Sequence, residues 1–146
     1  FNGCEFHQII MNPPYFKAQS SSISPDSGRA SGRAELVALS LWVQTAAKRL
    51  RPKGYLTLIQ RVERLPDILA SLSMGLGSIS VQPLAPRAGR APHLVIVRAR
   101  KAGRAAFKLL PTRNLHSGMA HVQDQPDYAP EISAVLRNGA EFPWHG

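Results

Sequence analysis

A chain of 146 residues allows one domain or part of one; 44% hydrophobic residues suit a globular core, and 18% charged residues exclude a charge-rich disordered chain. Eighteen Lys and Arg against nine Asp and Glu leave a net charge of +9 and a pI near 10.6, which points towards a polyanionic partner. No apolar run reaches the ~18–20 residues of a membrane helix, the first residues do not read as a signal peptide, and the single Cys4 excludes an internal disulfide, so a reduced, cytoplasmic protein with no membrane partner is expected.

Residues 6–11, Phe-His-Gln-Ile-Ile-Met, form a short apolar run that reads as a strand. Asn12-Pro13-Pro14-Tyr15 ends it, because proline has no N–H to give to a ladder. Residues 17–34 are rich in Ser, Gly and Pro and read as a loop long enough to act as a lid. Leu36, Leu39, Val43, Ala47 and Leu50 then recur at helical spacing, with Lys48, Arg49 and Arg51 at the negative dipole end and Pro52 and Gly54 as the stop. Trp42 and Val43 are assigned to the core.

Tyr55–Ile59 reads as a buried strand, followed by a second helix from Val62 through Leu72 that Gly75 and Gly77 close. Residues 78–84 and 93–100 read as two strands joined by the Pro/Arg/Gly loop 85–92, and Phe107–Leu110 as a further short strand. Pro130–Arg137 predicts one weak helix, closed by Asn138-Gly139. Alternating strands and helices imply parallel pairing, and the short final connection implies an antiparallel pair. Only about half of a doubly wound domain is accounted for, and the first strand is left with an unpaired edge that invites self-association.

The basic residues are clustered. No acidic residue lies between Asp67 and Asp124, a stretch that carries Arg87, Arg90, Arg98, Arg100, Lys101, Arg104, Lys108 and Arg113. Such a region neutralises phosphates on contact, and Arg87 and Arg90 in the 85–92 loop are its candidate RNA contacts. Arg29 and Arg33 are candidate substrate contacts from the earlier loop.

Asn12-Pro13-Pro14-Tyr15 carries the chemistry. Ligands in open α/β sheets sit beyond the carboxyl ends of strands, where this tetrapeptide belongs. An exocyclic amine is a poor nucleophile because its lone pair is delocalised. The Asn12 side-chain oxygen and the Pro13 carbonyl offer it two acceptors, which favour the partly positive nitrogen of a methyl-transfer transition state. Pro13 and Pro14 stiffen the loop. Tyr15 offers a stacking face for an extruded base, and Phe16 an apolar wall. No general base is required, since the proton leaves after the methyl arrives.

The segment Phe6–Phe16 resembles the fourth motif of the S-adenosylmethionine-dependent amino methyltransferases. Leu50–Ile59 resembles the helix-to-strand step of the same fold, and Arg61–Leu69, Pro83–Pro92, and His116 with Tyr128–Glu131 and Ala134–Ala140 are similar to the bacterial tRNA adenine-N6 methyltransferase group, so the resemblance covers nearly the whole chain. It implies the C-terminal half of a Rossmann-like class I methyltransferase sheet, parallel strands ending in an antiparallel pair. Residues 1–146 would be the C-terminal portion of one domain, with an N-terminal portion holding the cofactor. The implied cofactor is S-adenosylmethionine and the implied substrate an adenine of tRNA, beside the anticodon of a valine tRNA. The implied catalytic residues are Asn12, Pro13, Pro14 and Tyr15. His7 stands where family members often carry Asp. Two other readings stay open: a glutamine methyltransferase acting on release factors, and a non-catalytic RNA-binding module. A metal site is not expected, because His116 and His121 lack a third nearby ligand, and Cys4 lacks an acid–base partner.

Overall fold

The computed structural model describes residues 4–13, 39–72, 75–118 and 127–144. Strand β1 is Phe6–Met11, and residues 39–49 form helix α1. β2, Leu50–Arg61, leads through a 3₁₀ turn, Val62–Arg64, into α2, Leu65–Leu72. β3, Leu76–Ala85, and β4, Leu94–Lys101, follow. β5, Lys108–Leu109, and β6, Arg113–Asn114, are two-residue strands, and α3 is Pro130–Asn138.

The strands form one sheet in the order β1-β2-β4-β3-β5, with β6 also on β3. β1 pairs parallel to β2, and β4 is antiparallel to both β2 and β3. β1, β2 and β3 therefore run the same way, and β4 alone among the four long strands runs back. The α/β expectation of parallel strands closed by an antiparallel pair is met.

Alternation decides which side chains are buried. Leu56, Leu58, Val95, Val97, Ala99 and Val81 occupy one face of the sheet. Leu39, Val43 and Ala46 of α1, with Ile68 and Leu72 of α2, close over that face in one cluster. Each fully buried aliphatic side chain there is worth roughly 1.5–3 kcal/mol. On the other face Arg98 lies over the Tyr55 ring at 4.1 Å, and Trp144 near the chain end packs on the same guanidinium at 5.1 Å.

Local signals explain the ends of the elements. α2 has Pro66 and Asp67 in its first turn, where proline costs no hydrogen bond and an acid meets the positive dipole end. α3 begins with Pro130 and ends at Gly139 in the left-handed conformation, φ 64°, with Ala140 N–H donating to the Ala134 carbonyl.

Two expectations are corrected, and one strand is added. Leu50 belongs to β2 rather than to the preceding helix, and β2 starts before Pro52 and Gly54 instead of after them. The pairing moves from Phe6–Leu50 to Gln8–Tyr55, so the turn-forming residues are accommodated as an irregularity inside a strand. Trp42 is 47% exposed, while Val43 is buried as expected: adjacent residues on a helix point about 100° apart, and only Val43 faces the sheet. β6 has no counterpart in the sequence reading, because two residues leave no periodic signal.

Candidate functional site

The parallel direction of β1, β2 and β3 gathers their carboxyl ends, Met11, Arg61 and Ala85, at one edge of the sheet. β4 enters from the same edge after His93, whose carbonyl accepts the Val62 N–H at 3.0 Å. Asn12 and Pro13 continue from β1 at this edge. Asn12 is exposed, and Pro13 is buried. Pro14, Tyr15 and Phe16, together with Arg29 and Arg33, lie outside the described residues.

Gln60 is the residue that sequence reasoning missed. It sits at the end of β2, 4% exposed. Its Nε2 donates to the Pro13 carbonyl at 3.3 Å, and its Oε1 accepts the Arg61 N–H at 2.9 Å. The two partners fix the amide's orientation, since a carbonyl only accepts and a backbone N–H only donates. A polar residue following the apolar alternation of Leu56 and Leu58 was the available signal.

The basic residues divide between the two ends of the sheet. Arg61, Arg90 and His93 are exposed at the edge that carries Asn12. Arg87 is at the same edge, but its guanidinium is held by Asp127 and by the Ser117 carbonyl. Asp127 also bonds His116 Nδ1 at 2.7 Å, and the His116 ring stacks on Tyr128 at 4.8 Å. This cluster fastens residues 127–129 to the end of β3, alongside the Ala129 N–H to Leu115 carbonyl bond at 2.9 Å. Arg98, Arg100 and Lys101 are carried by β4 away from that edge. Arg98 and Arg100 lie over Tyr55, Arg100 also donates to the Lys53 carbonyl at 3.2 Å, and Lys101 donates to the Leu50 carbonyl.

A groove of about 600 Å³ runs along β1 and α1, lined by Phe6, Ile10, Met11, Leu41, Trp42 and Arg49 among others. Among the described residues no three His, Cys, Asp or Glu side chains converge as metal ligands, and no helix is long and apolar enough to cross a membrane. Cys4 is exposed, and His7 Nε2 lies 2.7 Å from Arg51.

At its Asn12 edge the sheet offers an exposed side-chain amide, a neighbouring carbonyl anchored from behind, and surrounding positive charge. Such a set accepts hydrogen bonds from a donor with two hydrogens. No protein-family model matches the sequence, and no curated protein matches it. A solved structure described as a predicted O-methyltransferase, protein Atu636 from Agrobacterium tumefaciens, is similar with a TM-score of 0.69 and 25% identity, over 92% of this chain and 51% of that one. The chain thus spans about half the length of that structure. Its mixed sheet is that of a methyltransferase-like α/β fold.

Proposed function

We propose that the protein methylates the exocyclic amine of an adenine in tRNA from S-adenosylmethionine, in the cytoplasm, and that the adenine beside the anticodon of a valine tRNA is its target. The observation that carries this reading is the position of Asn12 and Pro13 at the carboxyl end of β1, in a sheet similar to that of a methyltransferase. An amine has two hydrogens to donate, and the Asn12 oxygen and Pro13 carbonyl supply two acceptors. A hydroxyl acceptor, as an O-methyltransferase would use, has one.

The described residues suit the acceptor side of the reaction. We assign the cofactor's contacts to an N-terminal portion of the same domain, as the resemblance of the sequence to the amino methyltransferases implies. S-adenosylmethionine supplies an electrophilic methyl group. Asn12 and Pro13 hold the amine and favour the positive charge that grows on its nitrogen. The amine's proton then passes to water. Tyr15 stacks the extruded base against Phe16. Arg61, Arg90 and His93 meet the phosphates, joined by Arg29 and Arg33. Arg87, held by Asp127, shapes that surface and reaches RNA only by exchanging this partner.

The test is transfer of label from S-adenosylmethionine to unmodified tRNA by the full-length protein, with release factor offered in competition. Label is expected in N6-methyladenine. Asn12→Ala is expected to lower turnover about 10²–10³-fold, the usual cost of one positioned transition-state group. Full turnover in that variant, or label in release factor, would overturn the reading. Affinity for tRNA that falls with salt, with no methylation, would leave an RNA-binding module.

A further inference from the structure

We infer that Gln60 is a positioning residue for the reacting site, holding the Pro13 carbonyl at the angle the substrate amine needs. This rests on the methyl-transfer reading and adds a residue that neither the motif nor its neighbours in sequence identify.

The last ladder pair of the parallel strands is Met11 with Leu58. Pro13 and Gln60 each lie two residues beyond it. Alternation puts both on the face of the sheet that carries Met11 and Leu58, and both are buried. Pro13 has no N–H, so the ladder cannot continue through it. Its carbonyl, however, still needs a partner, since a buried backbone acceptor left unpaired is costly. Gln60 meets that need from the side chain, with Nε2 at 3.3 Å. The far end of the same amide is pinned by Arg61 N–H at 2.9 Å. The Pro13 carbonyl is thereby tied to β2, the strand that anchors β1, and not left to the conformation of the residues after it. A carbonyl oxygen has two lone pairs. Gln60 takes one, and we assign the other to the amine.

A hydrophobic side chain of similar length would fill the space and break the tie. The test is steady-state methyl transfer to tRNA by the full-length protein and by Gln60→Leu, Gln60→Glu and Asn12→Ala. Gln60→Leu is expected to lower kcat about 10²-fold, the scale of a small misplacement of a reacting group, with KM for tRNA and for S-adenosylmethionine unchanged; stranding the Pro13 carbonyl also lowers the melting temperature, so kcat is read well below the variant's own transition. Gln60→Glu supplies a pH readout that a space-filling role would not move. Its protonated carboxyl donates to the Pro13 carbonyl, and its ionised form repels it. Its kcat is therefore expected to recover as pH falls through the carboxyl's pKa, which burial raises, while the parent shows no such rise.

A Gln60→Leu variant that folds and keeps the parent's kcat, while Asn12→Ala loses it, overturns the role of Gln60 and leaves the methyl-transfer reading standing. If Gln60→Leu does not fold, the Gln60→Glu profile decides, and a profile parallel to the parent's overturns the role. Absence of methylation by the parent overturns both.

Discussion

Gln82 shows what a buried polar side chain does when it has no place in a reacting site. It is 1% exposed on β3. Its Nε2 donates to the carbonyls of Pro111 and Pro83, and its Oε1 accepts from Arg113 Nε at 3.3 Å. Arg113 in turn reaches Glu131 at 3.1 Å and the Pro143 carbonyl at 2.7 Å. One amide thus ties β3 to the segment that carries β6, and one guanidinium extends the tie to α3 and the chain end. Gln82→Leu keeps the volume but strands the Pro111 carbonyl. Equilibrium urea unfolding should show a loss of about 1–3 kcal/mol, the cost of an unsatisfied buried group; a variant as stable as the parent would mean that water replaces the amide. The bonding partners of Gln60 and Gln82 were not legible in the sequence, even where a polar residue in an apolar alternation marked Gln60 itself. Their partners lie 47 and 29 positions away, and no local pattern links an amide to a carbonyl at such distance. Arg87 is a parallel case. Its place in a basic loop was plain, but its bond to Asp127, 40 positions on, was not.

Elements were legible where their period was long or their punctuation strong. β1 and its proline stop, α2, the pair β3 and β4, and α3 with its Pro130 start and Gly139 end all lie where periodicity put them. The misplaced boundary was the start of β2, because proline and glycine usually end elements and here sit within one. Gly77 teaches a related lesson. It reads as a helix stop, yet the turn just before β3 is held by Gly75, at φ 92°. Gly77 lies inside β3, where the chain leaving β4 crosses over it. An added Cβ would stand 2.2 Å from the Gly103 carbonyl oxygen. The crossing is tied by the Ala102 N–H to the Gly75 carbonyl and by the Ala105 N–H to Ser78 Oγ, both at 3.0 Å. Gly77→Ala must therefore push one backbone away from another. Thermal melting should report a loss of about 1–3 kcal/mol, the range for overpacking. Gly89→Ala is the contrasting control. Its added methyl meets nothing within 4 Å, and the cost there is conformational alone, from φ 73°.

At the scale of the molecule the informative feature is β1. Four of its six residues are apolar, Phe6 and Ile10 on one face and Ile9 and Met11 on the other, which approaches the composition of an interior strand in a parallel sheet. Ile9 and Met11 face the core, yet Phe6 is 41% and Ile10 80% exposed, and among the described residues β1 pairs with β2 alone. Leu41 and Trp42 of α1 are exposed beside it, at 59% and 47%. The exposed edge of β1 is the feature the sequence reading expected of the first strand. Such an edge invites another strand. The 146-residue chain should accordingly associate with itself as its concentration rises in sedimentation velocity. Salt separates the two forces involved. A net charge of +9 drives copies apart, so screening it should strengthen association through the apolar edge, whereas association by charge pairing would weaken. Ile10→Lys places a cation on that edge and should shift the chain to monomer without unfolding it, since the side chain is already in water. In a protein extended by the proposed N-terminal portion, the same edge is covered and the association should vanish. A chain that stays monomeric at every concentration and salt would show that β1 tolerates water as it stands, and that the apolar groove beside α1 is not a surface for polypeptide.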